Sequence, residues 1–171
     1  MKCVFVLAAA FVFFTACNKN DNNNTTTLNG QDASFLQNAS YANHAEIDAG
    51  AIAAVKGSYD SVRVFGSMMV TDHGGAQSVL DTLASGLHVT IPSTADSAHV
   101  AMATVLQSLS GSVFDTTYIG AQVRDHMAAA ALFQQELSTG NNQQLKSYAN
   151  QYLPMIQMHL QEAQRIQQTL Q

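Results

Sequence analysis

Met68-Met69-Val70-Thr71-Asp72-His73-Gly74-Gly75 interrupts an apolar helical pattern with polar residues. Around it Val62, Phe65, Met69, Ala76, Leu80, Leu83 and Leu87 recur at steps of three and four, the spacing of one helix face. His73 falls inside that stripe, between Met69 and Ala76. A histidine on a core-facing stripe needs a partner for each ring nitrogen, so it directs the search for function.

The same pattern extends through most of the chain, which holds two prolines in 171 residues. Helices are expected over Gln31 to Lys56, Tyr59 to Leu87, Val113 to Ser138 and Gln143 to Leu170. A shorter one is expected over Thr94 to Leu109, capped by Ser93 or Thr94. Asp32 is the expected cap of the first, and Gly57 ends it. Ser110-Gly111-Ser112 and Gly140-Asn141-Asn142 read as breaks, and Pro92 keeps helix out of the connection before the short element.

A displacement of 83 residues lays Asp32 on Asp115, Phe35 on Tyr118, Gly57 on Gly140, and Val62-Arg63 on Leu145-Lys146. Beyond Tyr148 the displacement becomes 86, which pairs His73 with His159 and predicts a kink or bulge near Pro154. The chain thus reads as two helical hairpins joined by a crossover helix. A 16-residue crossover spans roughly 24 Å and returns the chain along the bundle. The second and third long helices then run parallel. The expected fold is all-α: a ferritin-like four-helix bundle with a short crossover helix, built from two hairpin repeats.

Each long helix carries one polar interruption near its middle: Glu46, His73, His126 and His159. Mid-helix positions meet at mid-bundle whichever way the helices run. Three imidazoles and a carboxylate in one layer suit a transition metal, Zn, Cu or Fe. Asp72, Asp125 and Glu162 stand near the histidines in sequence and are expected to orient them as outer acceptors. Gly74-Gly75 and Ala128 to Ala131 leave room beside them. The competing reading is a polar layer that satisfies itself and sets helix register without metal. The di-iron pattern Glu-x-x-His is missing, because Ala49 follows Glu46 at the third residue. No phosphate loop or Ser-His-Asp arrangement is arguable, so catalysis ranks behind both readings. His44, His88 and His99 read as solvated, and the scattered methionines as core filling.

The N-terminus reads as processing sequence. Met1-Lys2 is basic, Val4 to Ala16 is apolar, and Phe14-Thr15-Ala16-Cys17 follows. Residues 1–17 resemble a bacterial lipoprotein signal whose Cys17 is lipidated, although Phe14 stands where leucine is usual. An ordinary secretory signal cut nearby is the alternative. Cys3 would leave with the signal, so the mature domain has no thiol for disulfides or thiolate-bound metal. Residues 18–31 are polar enough to form a disordered tether, and 32–171 the bundle. A membrane partner through Cys17 and a location in the cell envelope, periplasmic or at the outer membrane, follow as expectations. The formal charge of −5 and the lack of a basic patch argue against nucleic acid.

The ordered set Phe35-Leu36, Glu46, Val62-Arg63-x-Phe65, Met69-x-x-Asp72-His73, Gly111-x-x-Phe114-Asp115-x-x-Tyr118, Asp125-His126, Leu145-Lys146, Leu153-Pro154 and His159-Leu160 resembles the bacterial domain of unknown function 4142. The resemblance covers about residues 31 to 170. It implies a ferritin-like bundle in the cell envelope and no established activity. The positions it carries over are Glu46, Asp72, His73, His126 and His159.

Overall fold

The computed structural model describes residues 27–171. The expected signal, Cys17 and most of the expected tether lie outside the described residues. Five helices follow one another: α1 (Gly30–Lys56), α2 (Asp60–Gly86), α3 (Ser97–Ser108), α4 (Gly111–Thr139) and α5 (Gln143–Thr169). No helix among the described residues is long and apolar enough to cross a membrane.

The helix ends show where local chemistry was misjudged. Asn29, not Asp32, caps α1; Asp32 sits at the third helical position and returns a bond to the Asn29 amide, completing a capping box. The helix therefore starts within the last residues assigned to the tether. α3 starts at Ser97 because the Asp96 side chain accepts from the amides of Ala98 and His99. A shortened α3 still allows the crossover, because the preceding segment packs Val89 and Ile91 on the core. Its Pro92 carbonyl accepts from Ser40 Oγ at 2.7 Å. At the end of α2, His88 takes the left-handed conformation, φ 56°. Val89 N–H reaches Ala84 O and His88 N–H reaches Ser85 O, a closure in which glycine is the usual residue. Gly111, φ 63°, makes the corner between α3 and α4. Pro154 lies within α5, which is continuous through it.

Two apolar clusters reveal the topology. One joins Phe35 and Leu36 near the start of α1 to Leu80 and Ala84 near the end of α2, Phe133 late in α4 and Leu145 early in α5. The other joins Ala53, Val62, Phe114, Tyr118 and Ile166 from the opposite ends of the same helices. Hence α1 runs with α5, α2 runs with α4, and α3 brings the chain back between the hairpins. This is the ferritin-like arrangement with two hairpin repeats. Where α1 and α2 cross, a Cβ on Gly50 would stand 2.7 Å from Gly66 O, and one on Gly66 2.7 Å from Gly50 O. Close approach therefore occurs here. A Cβ on Gly74 or Gly75 would meet nothing within 4 Å.

The repeat is structural as well as sequential. Asp32 in α1 accepts from the amides of Asn141 and Asn142, in the α4–α5 turn, at 2.9 and 3.0 Å. Asp115 in α4 accepts from the amides of Ser58 and Tyr59, in the α1–α2 turn, at 2.9 and 3.2 Å. Each hairpin thus fastens the turn of the other with an aspartate near the start of its own leading helix. Arg63 and Lys146 are a second matched pair, each donating within its own hairpin, to the carbonyls of Gly57 and Gly140. Between the two apolar clusters lies a buried polar layer that includes Ser40, Asn43, His73, Gln122, His126 and His159.

Candidate metal centre

Three helices deliver one imidazole each to the middle of the bundle. His73 comes from α2, His126 from α4 and His159 from α5, and their exposures are 3, 0 and 0%. The ring centroids lie 5.4 to 5.6 Å apart. Phe65 closes one side, with its ring 6.4 Å from His126 and 6.3 Å from His159. One ligand atom from each histidine lies within 4.8 Å of one from each of the others.

The outward nitrogens are all engaged. His73 Nδ1 lies 3.0 Å from Asn43 Oδ1, His126 Nδ1 3.0 Å from the Gln122 carbonyl, and His159 Nε2 2.9 Å from Asp72 Oδ2. All three partners are acceptors, so each of these nitrogens carries the proton and donates it. Asn43 Nδ2 is itself committed as a donor, to Gln77 Oε1 at 3.2 Å, which fixes its oxygen toward His73. The remaining nitrogens, His73 Nε2, His126 Nε2 and His159 Nδ1, are therefore bare lone pairs. None has a hydrogen-bond partner among the described residues.

Burial keeps these rings neutral. It holds His73 well below the ordinary imidazole value, and repulsion from His126 and His159 adds to this. Burial pushes His126 down to about 4, against the raising influence of the Gln122 carbonyl and Asp125. His159 is lowered by burial too, although its bond to Asp72 opposes the change.

The expected carboxylates fall in different places. Asp72 accepts from His159 Nε2. Glu46 is not brought into the imidazole cluster. It lies outside His126, with Oε1 3.5 Å from Nδ1, the nitrogen that faces away from the other rings. Its Oε2 accepts from Gln122 Nε2 at 2.6 Å. Burial raises Glu46 to about 8, in spite of the Gln122 bond, so the carboxyl is protonated at neutral pH. Asp125 pairs with Arg124 at 3.0 Å and stands 3.9 Å from His99. Glu162 pairs with Arg165 at 2.6 Å on the surface. Neither makes a hydrogen bond to a clustered imidazole. Sequence reasoning missed Asn43 and the Gln122 carbonyl. The 83-residue displacement contains a signal for the first: it lays Asn43 on His126.

The family described as a domain of unknown function (DUF4142) matches residues 17–166. The chain belongs to this family. The DUF4142 bundle is also similar in fold to a crystal structure of a DUF305 fragment from Deinococcus radiodurans. That likeness has a TM-score of 0.73 at 12% identity, over 83% of this chain and 98% of the other. At such identity it speaks for the fold alone. A comparison with curated proteins finds no match. The family assignment and the bundle agree with the resemblance read from the motifs, and the DUF4142 description names no activity.

Proposed function

We propose that His73, His126 and His159 bind one transition-metal ion, Zn, Cu or Fe, in a lipid-anchored protein of the cell envelope, where it serves metal handling or stress tolerance. The observation that carries this reading is the set of three inward nitrogens with no donor to meet them. A buried acceptor left unsatisfied costs about 1–3 kcal/mol. Three would take roughly 3–9 kcal/mol from a domain whose whole stability is about 5–15 kcal/mol. One water relieves this only in part, because it donates two hydrogen bonds and three lone pairs are waiting. A metal ion accepts all three. Its ligands would stand about 3.5 Å apart at ordinary imidazole–metal distances, so small ring rotations close the set. The bonds to Asn43, the Gln122 carbonyl and Asp72 already hold each ring in the tautomer that a metal requires.

The structural alternative finds its support in a different group. Asn43 donates to Gln77 and Tyr148, Gln77 to Ser40 and Asp81, and Tyr148 to the Ala76 carbonyl. That network is satisfied within the protein and suffices to set helix register. The clustered imidazoles are not satisfied this way. Envelope anchoring rests on the signal-like residues 1–17 and Cys17, with the membrane as partner, and the net negative charge sets nucleic acid aside.

Metal analysis of the full-length protein, purified without a histidine tag and offered Zn, Cu, Fe and Mn in turn, tests the reading. About one equivalent is expected to survive desalting, as a three-imidazole site would hold it. It should be absent in His73→Ala and in His126→Ala. No retained metal, or retention unchanged with all three histidines replaced, would overturn the assignment.

A further inference from the structure

The three imidazoles differ in how near they stand to solvent. Asn43 and Gln122, which hold His73 and His126, are 4 and 2% exposed. The Asp72 side chain, which holds His159, is 32% exposed. His159 is thus the imidazole whose outer hydrogen bond reaches the surface, where α2 faces α5. Along that seam lies a groove of about 410 Å³, walled by Val64, Phe65 and Met68 from α2 and by Met158, Glu162 and Arg165 from α5. Met68 stands one turn before Asp72, and Met158 adjoins His159, so the groove leads up to the Asp72–His159 pair. Phe65 belongs to its wall and is also the ring that closes the cluster, 6.3 Å from His159. One aromatic ring separates the groove from the imidazoles.

Two features of this path discriminate among ions. The first is the kind of atom it offers. Its carboxylates are already taken: Glu162 accepts two bonds from Arg165, at 2.6 and 2.7 Å, and Asp60 pairs with Arg63. What remains to meet a cation is thioether sulfur, on the half-buried Met68 and the exposed Met158. Thioethers are neutral and soft, so they favour copper(I) over the harder divalent ions. The second feature is charge. The clustered rings are neutral, and Asp72 is the one carboxylate hydrogen-bonded to them. It balances a singly charged ion. A doubly charged ion would leave a positive charge in the core, and the cost of burying charge grows with its square.

We propose that the α2–α5 groove is the port of the imidazole site, and that Met68 and Met158 make it selective for a soft, singly charged cation, copper(I). This rests on the metal-binding reading of His73, His126 and His159, and it chooses among the ions that reading allows. The thioethers are a passing contact, and the three bare nitrogens are the destination. His159 is the hinge of entry. Its ring turns by breaking one hydrogen bond at the surface, whereas the bonds of His73 and His126 are enclosed. Its Nε2 proton stays in place throughout, so the bare Nδ1 is ready for the ion when the bond to Asp72 re-forms.

The test uses the full-length chain with Cys3→Ser and Cys17→Ser, so that no thiol competes for the ion. Silver(I), a redox-inert stand-in for copper(I), is titrated while the methionine methyl signals are followed by NMR. The Met68 and Met158 signals are expected to shift together, and before that of Met127, which is exposed on α4. Met68→Leu with Met158→Leu conserves volume and removes both sulfurs. This variant is expected to take up copper(I) severalfold more slowly than its parent under anaerobic, reducing conditions, to the same final occupancy, with zinc(II) uptake unchanged. Met68 and Met158 signals that move no earlier than Met127, copper(I) uptake unchanged in the variant, or equal slowing of zinc(II) would each overturn the port. Retained copper(I) with unchanged uptake sinks the port alone. Failure of the parent to retain copper(I) after desalting sinks the imidazole site and the port with it.

Discussion

Each clustered imidazole has one nitrogen fixed by a donor bond and one left bare, and this division makes the site testable residue by residue. Asp72 is the most exposed of the three orienting groups, and its bond to His159 is the one with formal charge on the acceptor. Asp72→Ala is expected to leave the fold intact and to weaken metal binding about 10–100-fold, measured by competition with a chelating dye. Unchanged affinity would show that His159 is not a ligand. The histidines themselves were legible in the sequence, because a polar residue inside an apolar stripe stands out against its neighbours. Glu46 stood out for the same reason, yet its stripe position did not reveal on which side of His126 it would lie. That depends on how α1 packs on α4, a rotation of a few tens of degrees that periodicity does not resolve. His99 was read as solvated; it is partly exposed and lines a cleft, held by Asp96, because α3 folds over the α1–α4 seam.

At the scale of elements, the α1–α2 crossing shows packing outweighing propensity. Gly66 in mid-helix forgoes about 1 kcal/mol of helix propensity relative to alanine. A methyl there would meet Gly50 O and Ala54 N at 2.7 Å, both backbone atoms that cannot step aside. Overpacking of that kind costs about 1–3 kcal/mol, so Gly66→Ala is expected to destabilise by up to about 2 kcal/mol net. Urea unfolding is the measurement, and a stabilised variant would show that the helices can separate without loss. Gly74→Ala, with open space at its Cβ, should instead gain up to about 1 kcal/mol. From the sequence, Gly74-Gly75 had the part of leaving room beside the histidines, but glycines in a helix look alike until the neighbour is known. The boundaries of α2 and α5 were readable to within a residue or so, since Gly, Asn and the end of the stripe coincide. The start of α3 was not, because Ser93, Thr94 and Asp96 are all competent caps and tertiary packing of Val89 and Ile91 sets where the chain turns.

Across the whole molecule, the two hairpins are held by reciprocal aspartates, but only one end adds a second carboxyl. Glu136 in α4 is wholly buried beside Asp32. Burial pushes it up to about 7, and its neighbour Asp32 pushes in the same direction. Burial would raise Asp32 as well, yet the amides of Asn142, Asn29 and Asn141 hold it below the ordinary range. Asp32 is thus the ionised member and Glu136 the protonated one at mildly acid pH. The folded state binds a proton at Glu136 more tightly than the unfolded chain does, so this group favours folding below about pH 4.5 and loses that advantage as pH rises to about 7. Glu136→Gln is expected to match the wild type near pH 4 and to exceed it at pH 8, on the order of 1–2 kcal/mol after allowance for solvent near the turn. Urea midpoints at the two pH values check this, and an equal difference at both would refute it.

The sequence by itself determined the helical class, the hairpin repeat, the parallel run of α2 with α4 and the identity of the three histidines. These rest on local periodicity, on turn residues and on a crossover long enough to reverse the chain. Only the tertiary structure decided which nitrogen of each ring looks inward. It also excluded Glu46 from the cluster, drew Asn43 into it, and brought His99 and Asp125 together across a cleft. Those outcomes depend on the rotation of each helix about its own axis, set by contacts such as Gly50 with Gly66 between residues far apart in the chain. A stripe specifies a face to within about one residue, and a hydrogen bond is narrower than that.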